Sequence, residues 1–162
     1  MSGITHLVWA ELLYRLYPNV PVVEDNELWA SGHVNPPVIL LETDIVSEKT
    51  HTPQSARIIE DVGLVFQFKK VEEPDDSGPY TKIDIELLRA YLRKHRYCIA
   101  SQAHQMQLVL QEPSVRSFND RVEFECRYSY LLHTNIDLPG DKKPEKINHF
   151  YVETNDEKEV EA

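Results

Sequence analysis

Seven histidines are the first residues in this chain that invite chemistry: His6, His33, His51, His95, His104, His133 and His149. Helices and strands present metal ligands as pairs at i, i+4 or as HxH, and none of the seven is so spaced. They read as ordinary scattered histidines, and no metal site is expected. Two cysteines, Cys98 and Cys126, form no CxxC pair and are too few for a disulfide scaffold. Cys126 alternates in step with Phe124 and Tyr128, so it reads as a small buried apolar residue, and Cys98, just after a helix, reads the same way. No GxSxG, P-loop or dinucleotide fingerprint is present, and five glycines leave little material for one. One set remains to be weighed: Asp44 on one expected strand, with Gln67-Phe68-Lys69 on the next.

That set, within an order of helix, strands, helix and strand, resembles the PD-(D/E)xK nuclease core. The resemblance implies that an Asp and a Glu or Gln bind magnesium while a Lys polarises the attacking water. Thr43 stands where the pattern has proline, and Gln67 replaces the second acid. Losing a carboxylate weakens a site for a hard cation. A magnesium nuclease is therefore one alternative reading, and the expectation is a protein with no catalytic residues, no cofactor and no metal.

The elements that would carry these residues follow from periodicity. Residues 6–17 predict a helix with Leu7, Val8, Leu12, Leu13 and Leu16 near one face, stopped by Pro18. A short extended piece begins at Pro21 to Val23, and a polar stretch with Asp25, Asn26, Ser31 and Gly32 follows. Pro36-Pro37 leads into a strand from Val38 to about Ser47. Residues 48–55 have almost no apolar content and read as a protruding loop. A long strand from Ala56 to about Lys70 alternates Val62, Leu64, Phe66 and Phe68 with Gly63, Val65, Gln67 and Lys69. The segment from Glu72 to Pro79 breaks the chain.

A second helix is expected from near Thr81, with Thr81 and Asp84 spaced as a capping box and Ile83, Leu87, Leu88, Tyr91 and Leu92 on one face. A polar patch at Ser101 to Gln105 precedes a strand at about Gln107 to Leu110 and a turn at Pro113-Ser114. In the last strand Val122, Phe124, Cys126, Tyr128, Tyr130 and Leu132 form one face, and Arg121, Glu123, Glu125, Arg127 and Ser129 the other. The expected fold is α+β, a mixed or antiparallel sheet with two helices in the order α-β-β-β-α-β-β, over residues 1–133. Residues 134–162 read as an acidic C-terminal arm, interrupted by an apolar knot of Ile147, Phe150, Tyr151 and Val152.

Composition narrows the partners. The 162 residues suit one domain, with 41% hydrophobic and 27% charged residues. No apolar run approaches a membrane span, and the start Met1-Ser2-Gly3 lacks the basic and apolar stretches of a signal peptide. A soluble intracellular protein is the expectation. Twenty-seven acidic against 17 basic residues give a formal charge of −10, which disfavours a grip on nucleic acid, since phosphate binding demands a basic stripe. The cluster Arg89, Arg93, Lys94, His95 and Arg96 falls at the end of a helix and complements its dipole.

The element order, with the boundaries Asn19-Val-Pro-Val-Val23 and Pro36-Pro-Val-Ile-Leu40, resembles the tail terminator, or head-to-tail joining, proteins of long-tailed bacteriophages over about residues 4–133. The resemblance implies a virion protein made in the host cytoplasm, with another neck or tail-completion structural protein as the alternative within that class. It implies a hexameric ring that caps the tail tube and joins it to the neck and connector proteins, with DNA passing through the channel without specific binding. An acidic lumen would let DNA slide. A closed ring needs two different surfaces on each subunit. The candidate assembly contacts are Glu48, Lys49 and His51 in the polar loop, Arg121, Glu123, Glu125 and Arg127 on the last strand, and Ile147, Phe150, Tyr151 and Val152 in the arm.

Overall fold

A computed structural model describes residues 4–71 and 78–133. The chain is an α+β domain built on one seven-stranded sheet. Helix α1 spans Thr5–Leu16, strand β1 Val22–Val23, helix α2 Asn26–Ala30, β2 Val38–Thr52 and β3 Ser55–Gln67. Two short strands, β4 at Lys69–Lys70 and β5 at Tyr80–Thr81, pair separately. Helix α3 covers Glu86–Lys94, followed by β6 at Cys98–Ser101, β7 at Met106–Leu110, β8 at Ser114–Ser117 and β9 at Arg121–His133. The sheet runs β1-β2-β3-β9-β7-β6, with β8 also on β9. Only β1 and β2 are parallel, which makes the sheet mixed.

The core follows from the period of two. Even-numbered residues of β3 and β9, from Ile58 to Phe66 and from Val122 to Tyr130, are buried against α1. Trp9 is fully buried, with its ring 6.5 Å from Phe124 and 5.8 Å from Tyr128. Tyr17 packs edge-on against Phe66 at 5.6 Å. Its hydroxyl donates to the Asp84 carbonyl at 2.7 Å and accepts the Leu88 N–H at 3.2 Å, tying the end of α1 to the start of α3.

Several expectations are corrected. Residues 48–55 are not a protruding loop: β2 continues to Thr52 and β3 begins at Ser55, so they form a hairpin tip. Neither face of that tip meets the core, so it carries no apolar alternation. There are three helices among the described residues, because Asp25 caps α2 by accepting the N–H groups of Glu27 and Leu28 at 2.8 and 3.2 Å. Thr81 lies in β5 and caps nothing, and α3 begins at Glu86, whose N–H donates to the Asp84 carboxylate at 3.0 Å. On α1 it is Trp9, not Leu7, that faces the sheet; Leu7 is exposed. Cys98 is only half-buried, while Cys126 is buried as expected, and Leu132 lies in the open. The long strand ends at Gln67, and β6 and β8 are additions that the sequence pattern did not suggest. The acidic arm, 134–162, and its apolar knot lie outside the described residues.

Candidate functional site

The two faces of the sheet are chemically distinct. One meets α1, and its least expected occupant is Glu60, which is 1% exposed. Its parity on β3 places it inward between Ile58 and Val62. There the carboxylate accepts three hydroxyl hydrogen bonds, from Thr5 and Tyr128 at 2.5 Å and from Tyr130 at 2.6 Å. Burial and the adjacent carboxylate together push both tyrosines well above the usual phenol range. This network fastens the first turn of α1 to two strands, and its closure on all sides marks it as structural. The signal in the sequence was an acid on an otherwise apolar parity.

Beyond Ile58 and Tyr130 the buried core ends but the sheet continues. A register shift between Ile45 and Ser47 bulges β2 at that point. The hairpin of β2 and β3, with the end of β9, therefore projects as a three-stranded arm. Ile45, which lies opposite Glu60, is 56% exposed, and Val46 and Leu132 are also open to solvent, as are Ile4 and Leu7 at the start of α1. From Leu41 to Thr52, β2 pairs only with β3, so its other edge is open.

The outer face, away from α1, reads as rows across the strands. Lys49 lies opposite Arg57, which lies opposite Leu131. The next row is uncharged: Ser47, Ile59, Ser129 and Val109. Asp44, Asp61 and Arg127 follow, then Glu42, Gly63, Glu125 and Ser114. Gly63 supplies no side chain, and the gap over it is the floor of a groove of about 430 Å³ rimmed by Glu42, Asp44, Asp61, Glu112 and Glu125. Arg127 holds Asp61 in two bonds of 2.8 and 2.9 Å and keeps its carboxyl below the usual range. Arg116 reaches Glu125 at 3.1 Å, and Arg121 bonds Glu123 at 3.0 Å and Asp120 at 3.1 Å. A second hollow of about 430 Å³ at the arm end is lined by His51, Arg57, Val109, Leu131 and His133.

Of the candidate contacts, Lys49 and His51 thus sit at the arm end of the outer face, while Arg121, Glu123, Glu125 and Arg127 run along it. Glu48 pairs with Ile58 and takes the opposite parity. The nuclease set does not converge. Asp44 lies opposite Asp61, whereas Gln67 lies opposite Val38, six residues along β3 and about 20 Å away. Gln67 instead donates to the Asp120 carbonyl at 3.2 Å, and Lys69 belongs to β4. Among the described residues, no three His, Cys, Asp or Glu side chains are grouped to hold a metal. No described helix is long and apolar enough to cross a membrane.

No protein-family model matches this chain, and no curated protein matches it at a significant level.

Proposed function

We propose that this chain is a structural subunit of the phage tail terminator type. In this reading, copies close into a ring, hexameric as the resemblance implies, that caps the tail tube and joins it to neck proteins. The observation that carries the proposal is the arm of β2, β3 and β9 that outruns the buried core. It leaves Ile45, Val46 and Leu132 exposed on the side of the sheet that elsewhere meets α1, and Ile4 and Leu7 at the start of α1 are exposed as well. These exposed apolar side chains, here called the collar, together with the open edge of β2, support a partner chain. The bulge and the charged Glu48 and Lys49 guard that edge against indiscriminate pairing. The collar and the opposite end of the sheet differ, as a heterologous contact that closes on itself requires.

The partners in this reading are further copies of the chain, the tail tube protein and the neck or connector proteins, in the virion. DNA passes without being gripped, consistent with a formal charge of −10. The test is solution mass followed by negative-stain imaging, alone and with assembled tail tubes. Rings of uniform diameter, and tubes capped at one end, are expected. A species that stays monomeric at every concentration and leaves tube ends bare would remove the proposal.

A further inference from the structure

We infer that the outer face of the sheet is a self-complementary docking surface that binds a second copy of this chain about a two-fold axis. The observation is a pair of like-charge contacts on one hairpin. Lys49 lies directly opposite Arg57, and Asp44 lies directly opposite Asp61, on the same face of β2 and β3. Like charges directly opposite on neighbouring strands destabilise a sheet. Arg127 answers Asp61. Among the described residues no ion pair answers Lys49, Arg57, Asp44, Glu42 or Glu112.

A second copy answers Lys49, Arg57 and Asp44; Glu42 already accepts a hydrogen bond from Asn26 at 2.8 Å. The basic row and the acidic row are four residues apart on β3, about 13 Å. Midway between them runs the uncharged row of Ser47, Ile59, Ser129 and Val109. A two-fold axis along that row sets Lys49 and Arg57 of each copy over Asp44 and Asp61 of the other, with Glu42 one row further out. Both contacts form at once, because both patches share one face. Sheets stacked face to face lie about 10 Å apart, a gap that long basic side chains cross. Val109, 54% exposed, then packs near the axis against its own copy, and the hollow over Gly63 leaves room for the incoming side chains. The face measures about 20 by 25 Å, so the contact buries on the order of 500 Å² a side, at the low end for specific pairs. A weak, salt-sensitive dimer is the expected strength. This contact goes beyond the ring reading and uses the opposite face of the arm from the collar.

The experiment uses two double variants of the full chain, Lys49→Glu with Arg57→Glu and Glu42→Lys with Asp44→Lys, checked for native melting. Sedimentation velocity should show wild-type subunits or rings associated in pairs that dissociate as salt rises. Each variant alone should dimerise roughly tenfold or more weakly, because its two ends now repel. Mixed one to one, the variants should pair again to within about threefold of wild type, since each reversed end meets an opposite charge. Recovery in the mixture excludes simple misfolding. Variants that dimerise like wild type, or folded variants whose mixture fails to recover, would overturn the inference. Rings, scored in the same samples by negative stain, should persist in both variants; rings lost together with dimers would show that the outer face has no separate two-fold contact.

Discussion

Glu60 is the residue on which the region between helix and sheet depends. A carboxylate taken out of water is costly unless every lone pair is used, and here three hydroxyl donors converge on it. Glu60→Ala strands those hydroxyls and opens a cavity, at about 1–3 kcal/mol for each group left unsatisfied, so a loss of about 3–5 kcal/mol is expected. Glu60→Gln keeps one acceptor oxygen and should cost markedly less. Urea titrations of the two variants check this, and equal losses would mean that packing, not the hydroxyl set, accounts for the residue. The acid was visible in the sequence as an exception to the apolar parity of β3. What could not be read there is that Thr5 and two tyrosines from distant positions would close around it, because that depends on where α1 lies across the sheet.

Among the elements, β9 is the one whose inward and outward faces were fully legible, since one side meets the core along almost its whole length. Phe124→Ala should destabilise the fold by about 3–5 kcal/mol, the cost of emptying a fully buried aromatic position. Arg127→Ala, on the solvent side, should melt near wild type. Comparable losses in denaturant would reverse the assignment of faces. The hairpin tip was illegible for the converse reason. Thr50 and Thr52 pair in the ladder, with His51 bulged between them, but they bury nothing, so backbone hydrogen bonds hold them in a strand that no hydrophobic period announces. Four-residue strands such as β6 and β8 offer too few alternations to be seen. Helix α2 buries no residue, so no apolar face marks it in the sequence, and the Asp25 cap is what starts it. The outer-face rows needed the register itself: Lys49 and Arg57 are eight positions apart in sequence and adjacent because a two-residue turn is combined with a register shift between Thr50 and Thr52.

At the scale of the whole molecule, ionisable groups held in their neutral form tie stability to alkaline pH. Burial pushes the Tyr17 phenol up to about 12 where it joins α1 to α3, and the Cys126 thiol likewise to about 12 within β9. Tyr128 and Tyr130 are raised further by burial and by Glu60. In the unfolded chain these groups titrate near about 10 for tyrosine and about 8.5 for cysteine. The folded state therefore keeps protons that the unfolded state has already released. Stability falls with rising pH wherever the native state binds more protons, so the contribution is complete below about pH 8.5 and is lost progressively above it as the folded values are approached. Melting temperature should be insensitive to these groups near neutrality and drop steeply above about pH 10. Tyrosinate absorbance should show the buried phenols ionising only as the chain unfolds. Tyr130→Phe removes one such proton and should make the alkaline decline shallower, even if the variant begins less stable. A decline of unchanged slope in Tyr130→Phe, or buried phenols that titrate freely while near-ultraviolet dichroism remains native, would refute this coupling.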